Sequence, residues 1–169
     1  MLRLSIVFVV FPFWLLAGCA TTSPVGGQSS PTTATAASTQ TELPPQQLEL
    51  GECGLFLWSL SGDPTFVFFS KATEGSAKMF IGSNVEALSQ TGAGGDIFGQ
   101  FMTEMEWISA GTGHRIDLQI VPGENMIEGQ RVSNGRIKLT DAEGWETIIP
   151  VRGARACMNA PDGQLPTPS

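Results

Sequence analysis

His114-Arg115-Ile116-Asp117-Leu118-Gln119-Ile120 alternates polar and apolar side chains without a break. Positions two apart share one face of an extended strand, so Ile116, Leu118 and Ile120 face a core while Arg115, Asp117 and Gln119 face water. The same period continues on both sides. Upstream, GLFLWSL (54–60) and TFVFFS (65–70) are short and apolar, separated by the turn-forming Ser61-Gly62-Asp63-Pro64, which is the pattern of a hairpin. SAKMFIG (76–82) and NVEALSQ (84–90) read as two further strands. Downstream, QRV (130–132), RIKLT (136–140) and WETIIPV (145–151) are punctuated by Ser133-Asn134-Gly135 and by Asp141-Ala142-Glu143-Gly144. Turn residues recurring about every 8 to 12 positions predict an all-β domain, a small antiparallel sandwich or barrel of about eight short strands.

Two stretches need a decision. FGQFMTEMEWI (98–108) fits a helix through Phe98, Phe101, Met102, Met105 and Ile108, and a strand through Phe101, Thr103, Met105 and Trp107. Its glycines, short length and strand neighbours favour the strand. Gly92-Ala93-Gly94-Gly95-Asp96 lacks the lysine and hydroxyl of a phosphate-binding loop and reads as a loop between strands.

The N-terminus reads as targeting before it reads as structure. Arg3 precedes an apolar run from Leu4 to Gly18, 15 residues interrupted by Pro12. As a helix such a run spans only about 22 Å, short of the ~30 Å hydrocarbon core of a bilayer, so an export signal (1–18) fits better than a permanent span.

Leu16-Ala17-Gly18-Cys19 resembles the lipobox of bacterial lipoproteins, an aliphatic residue and two small residues closing the signal before an invariant cysteine. The resemblance implies cleavage before Cys19, acylation of its thiol and anchoring by lipid. In that family an aspartate after the cysteine favours the inner membrane. Ala20 stands there in this chain, implying the periplasmic face of the outer membrane. The chain has three cysteines. If Cys19 carries lipid, Cys53 and Cys157 remain as a pair, and export to an oxidising compartment favours their forming a disulfide.

Residues 19–47 are rich in Thr, Ser, Ala, Pro and Gln and poor in large apolar side chains. Such a segment cannot bury enough surface to offset its ordering entropy and is expected to be a disordered tether. The β-domain is expected over 48–157, followed by a second disordered tail over 158–169.

Charge excludes some functions. The net charge is −7, so nucleic acid is not an expected partner. Eight acidic and two basic residues lie between Leu48 and Trp107, an acidic flank suited to a cationic protein. His114 is the sole histidine, and no serine sits in a nucleophile elbow. Metal-ligand spacing is absent, so no metal or cofactor is expected. Glu104 and Glu106 share one strand face, where a carboxylate pair could divide acid and base roles or simply face water. The domain is therefore expected to bind another protein or support envelope assembly without catalysis.

Ser109-Ala110-Gly111-Thr112-Gly113-His114-Arg115 resembles the Ser/Gly/Ala-rich loop, ending in arginine, of periplasmic lipoprotein inhibitors of C-type lysozyme. That resemblance implies a small disulfide-closed β-barrel whose binding loop includes Ser109, Gly111, Gly113, His114 and Arg115. The family's second motif, a tryptophan soon followed by lysine and glycine, has only Gly144-Trp145-Glu146-Thr147 as its nearest match. A third expectation is a small-ligand barrel, in which Phe56, Trp58, Phe66, Phe68 and Trp107 would line a pocket instead of filling a core.

Overall fold

The computed structural model describes residues 40–159. Its elements are eight strands: β1 (Cys53–Ser59), β2 (Thr65–Lys71), β3 (Ser76–Ile81), β4 (Asn84–Phe98), β5 (Phe101–Ile108), β6 (Arg115–Met126), β7 (Gly129–Thr140) and β8 (Glu146–Cys157). Each pairs antiparallel with the next, and β1 pairs with β8, so the sheet closes into an up-and-down barrel. Closure leaves no sheet edge unpaired. The expected signal segment 1–18, Cys19, the expected tether up to residue 39 and residues 160–169 lie outside the described residues.

The period of two decides which side chains enter. In β6, Ile116, Leu118 and Ile120 point inward, as the alternation requires. The ambiguous segment is β5, with Phe101, Thr103, Met105 and Trp107 buried between exposed Glu104, Glu106 and Ile108. A strand buries one residue in two here, whereas a helix would have buried Met102 and exposed Trp107. An eight-stranded barrel is just wide enough for its own side chains. Leu55, Leu57, Phe68, Met79, Trp107, Ile116, Leu118, Ile137 and Val151 fill it.

Two punctuation readings are corrected. Ser133-Asn134-Gly135 is no turn: it lies inside β7, where Ser133 and Asn134 together face Arg152 as a bulge. Polar side chains take up backbone groups that the ladder leaves there, Ser133 Oγ donating to the Val121 carbonyl and Asn134 Oδ1 accepting from Gly135 N. Gly92–Asp96 is likewise part of β4 and not a loop, with register shifts on either side and Asp96 N donating to Thr103 Oγ1. The strands are also longer than expected, reaching 15 residues in β4, because both segments continue the pairing through a bulge.

The five aromatics do not share a pocket. Phe68 and Trp107 meet edge-on inside the barrel, with centroids 5.0 Å apart. Phe56, Trp58 and Phe66 face outward and stack on one another. Plain alternation in β1 turns Phe56 and Trp58 outward beside inward Leu55 and Leu57. In β2 a bulge at Val67, opposite the step from Leu57 to Trp58, lets Phe66 and Phe69 face out as Val67 and Phe68 face in.

That outer aromatic face is covered by residues 42–48, so the ordered chain begins earlier than residue 48. Leu43 is only 1 % exposed, packed with Phe66 and Phe69. Its backbone N donates to the Phe66 carbonyl at 2.8 Å, and Glu42 accepts from Phe66 N. Lys78 Nζ donates to Gln46 farther along. A leucine within a polar, proline-rich run is what composition alone undervalues. At the other terminus Met158 is still paired, donating to Glu52 and accepting from Gly51.

The seam between β1 and β8 is drawn tight. Cys53 and Cys157 are directly opposite, disulfide-bonded, with Cα atoms 4.0 Å apart. Gly153 faces Leu57, and a Cβ there would run into the Phe56 carbonyl oxygen. Only glycine lets the two backbones approach this closely.

Candidate functional site

The polar residues singled out from the sequence fall into two places. The first is the β5–β6 connection at one end of the barrel. Ser109 N donates to the His114 carbonyl, and Gly113 N to the Ser109 carbonyl, closing a compact loop. Gly113 has φ +78°, a conformation that favours glycine. Ser109 is buried at the loop's base, Gly111 and Thr112 are exposed at its tip, and Arg115 is exposed at the start of β6.

Glu86 of β4 organises this loop, and no motif in the sequence marks it. Thr112 Oγ1 donates to Glu86 Oε2 at 2.6 Å, and Glu86 Oε1 lies 2.9 Å from His114 Nδ1. Thr112 Oγ1 is also 2.9 Å from His114 Nδ1. Burial pushes the Glu86 carboxyl up, but hydrogen bonds from Thr112, Ser109 and His114 together outweigh it and hold the group below its ordinary value. The hydroxyls thus meet the carboxylate and the imidazole nitrogen that the carboxylate already occupies. A nucleophile-base-acid set requires the hydroxyl on the opposite nitrogen. Among the described residues no hydroxyl or thiol bonds to His114 Nε2.

Because the folded carboxyl is depressed, its stabilising contribution is present above the unfolded carboxylate range and is lost as pH falls through the folded value. Glu86→Gln is expected to cost about 1.5 to 3 kcal/mol at neutral pH, the range for a hydrogen bond to a charged group. Urea unfolding at pH 7 and at successively lower pH checks this: the two proteins should differ at pH 7, and the difference should shrink as pH falls through the folded value of the carboxyl.

The second place is the outer face of β4 to β8. Glu106 stands opposite Asp117, and Glu104 opposite Gln119. Like charges directly across a ladder repel. Asp117 is relieved by Lys138, 3.0 Å away, which also reaches Glu146 at 3.2 Å. Asp117 and then Glu146 hold the Lys138 ammonium above its ordinary value. Glu104 and Glu106 have no ion pair among the described residues. On their other side lie Gly94 and Gly92 of β4, and Glu106 leans over Gly92, where a Cβ would come within 2.9 Å of its carboxylate. On the side away from those glycines an open groove of about 340 Å³ runs over β5 to β8, lined by Glu104, Glu106, Asp117, Gln119, Arg136, Lys138 and Ile148.

No protein-family model matches this chain, and neither does any curated protein or solved structure. The functional reading therefore rests on these two places. Glu104, Glu106 and Asp117 share the open groove, and His114 lies apart from them in the β5–β6 loop. Among the described residues no group of histidine, cysteine and carboxylate side chains is placed to hold a metal.

Proposed function

We propose that this chain is a cell-envelope lipoprotein, anchored through Cys19 at the periplasmic face of the outer membrane, whose disulfide-closed barrel binds a cationic protein and is not an enzyme. The observation that carries the binding reading is the pair Glu104 and Glu106, two outward carboxylates with no ion pair among the described residues, at the edge of an open groove. A lysine or arginine side chain reaching Glu104 and Glu106 would supply the counter-charge that Lys138 already gives Asp117. The groove is open to water, where charges steer and select a partner more than they perform chemistry. Anchoring at the membrane raises the domain's local concentration near partners in the same envelope.

Photo-crosslinking in intact envelopes tests the surface. A crosslinking residue at position 148, on the groove's rim, is expected to give a discrete adduct that Glu104→Gln/Glu106→Gln abolishes. An equally strong adduct in the charge-neutral background, or none from position 148, rejects this face as the binding site.

A further inference from the structure

We propose that the partner adds an extended segment along β6 at residues 120–122, setting a lysine or arginine against Glu104 and an aliphatic side chain against Val121. This rests on the reading of the face that carries Glu104 and Glu106, and names the form of partner that face would take. Closure gives every strand two neighbours, yet two ladders stop while both of their strands run on. The β2–β3 ladder ends at Phe68 opposite Met79, short of Thr65 and Ile81. The β5–β6 ladder ends at Glu104 opposite Gln119, short of Phe101 and Met126.

The chain covers the first of these corners itself. Phe66 lies beyond the end of the β2–β3 ladder, where its backbone N donates to the Glu42 carboxylate and its carbonyl accepts from Leu43 N. The leucine of that covering segment is buried against Phe66 and Phe69. At the second corner a groove of about 290 Å³ lies open, between Thr103 and Glu104 on β5, Gln119 and Val121 on β6, and Asn134 and Arg136 on β7. It shares Glu104, Gln119 and Arg136 with the larger groove, so the two form one trough along β6. A strand whose neighbour has parted from it can take an extended peptide in the neighbour's place, main-chain bonds supplying affinity and alternate side chains specificity.

Side chains at this corner set the partner's chemistry. Glu104 stands at the last rung of the ladder with no ion pair among the described residues. Arg136, across Gln119 from it, donates to Gln119 Oε1. A cation arriving here is repelled by Arg136 and drawn to Glu104, which fixes the side on which the partner lies. Two residues farther along β6 the surface turns apolar. Val121 is 55 % exposed, and Ile97, opposite Met102 across the β4–β5 ladder, is 79 % exposed. Positions two apart on a strand share a face and lie about 6.7 Å apart along it. A partner strand with a cation and, two residues on, an aliphatic side chain therefore matches Glu104 and Val121 together. Pro122 follows Val121 and has no N–H to offer, a device that keeps an open stretch of strand from pairing indiscriminately.

Amide spectra of the full chain in detergent micelles test this, with a capped peptide of threonines that carries one lysine and, two residues on, a valine. The Ile120 and Val121 amide resonances are expected to move as the peptide is added, with the buried Met79 and Met105 methyls unmoved. Glu104→Gln/Glu106→Gln is expected to weaken the peptide about twofold to fivefold, the effect of an exposed ion pair. Methylating the peptide nitrogens along one edge of the strand is expected to abolish binding, and methylating those along the other edge to leave it unchanged. Equal effects of the two methylations overturn strand addition and leave the carboxylate face as a cation site. Binding indifferent to the carboxylate substitutions overturns both readings. Ile120 and Val121 amides unmoved up to the solubility of the peptide also overturn the proposal. So do amides that move with protein concentration alone, which assigns the corner to a second copy.

Discussion

Replacing Cys53 and Cys157 together by serine is expected to lower the stability of the barrel by about 4 to 5 kcal/mol. The bond closes a loop of 104 residues, and in the chain-entropy model a closure that long removes about this much freedom from the unfolded chain. Few other interactions in a domain of this size reach it, since single-domain stabilities lie at about 5 to 15 kcal/mol. The location adds to the consequence. The two cysteines end the ladder between β1 and β8, the one pairing that joins the start of the barrel to its finish. Equilibrium unfolding in urea, with and without a reductant, measures the effect: the reduced native protein and the double variant should unfold at a similar, much lower denaturant concentration. A double variant as stable as the oxidised protein would mean that the seam is held by the ladder alone.

Trp107→Ala is expected to cost about 3 to 5 kcal/mol, the range for removing a large aromatic from a core that only partly collapses. Trp107 is 2 % exposed and packs edge-on against Phe68. A closed barrel relaxes poorly around a void because every strand is fixed by two neighbours. Trp107→Phe should cost far less. It keeps most of the volume, and it removes an indole Nε1 that has no protein partner. Thermal unfolding of the three proteins checks the order: the Trp107→Phe variant should melt close to the unaltered protein, and the Trp107→Ala variant far below both.

Much of this fold was legible because a strand writes its burial directly into a period of two. β6 and β5 follow that period through their core-facing halves, and the disulfide follows from cysteine parity once Cys19 is set apart. Three features were not legible. A bulge and a turn use the same residues, so Ser133-Asn134-Gly135 and the glycines of β4 looked like breaks when they are places where strands coil into a barrel. The side of the sheet to which Phe66 turns relative to Phe68 depends on a one-residue bulge at Val67, which inverts the alternation across it. Leu43 stands alone in a polar run, and nothing local marks its burial. The loop residues 109–115 were visible as a unit, whereas Glu86, which ties them together, lies more than 20 residues upstream and meets them only after the barrel closes.

The proposed function depends most on the anchor, because a barrel that is not held at a membrane has no envelope to serve. Growing cells with labelled palmitate, isolating the protein and fractionating the two membranes measures this. The unaltered chain is expected to carry label and to sediment with the outer membrane, and Cys19→Ser to carry none while its barrel remains folded and oxidised. Label on the Cys19→Ser protein, or an unaltered protein that is unlabelled and free of membrane, would contradict an anchored lipoprotein.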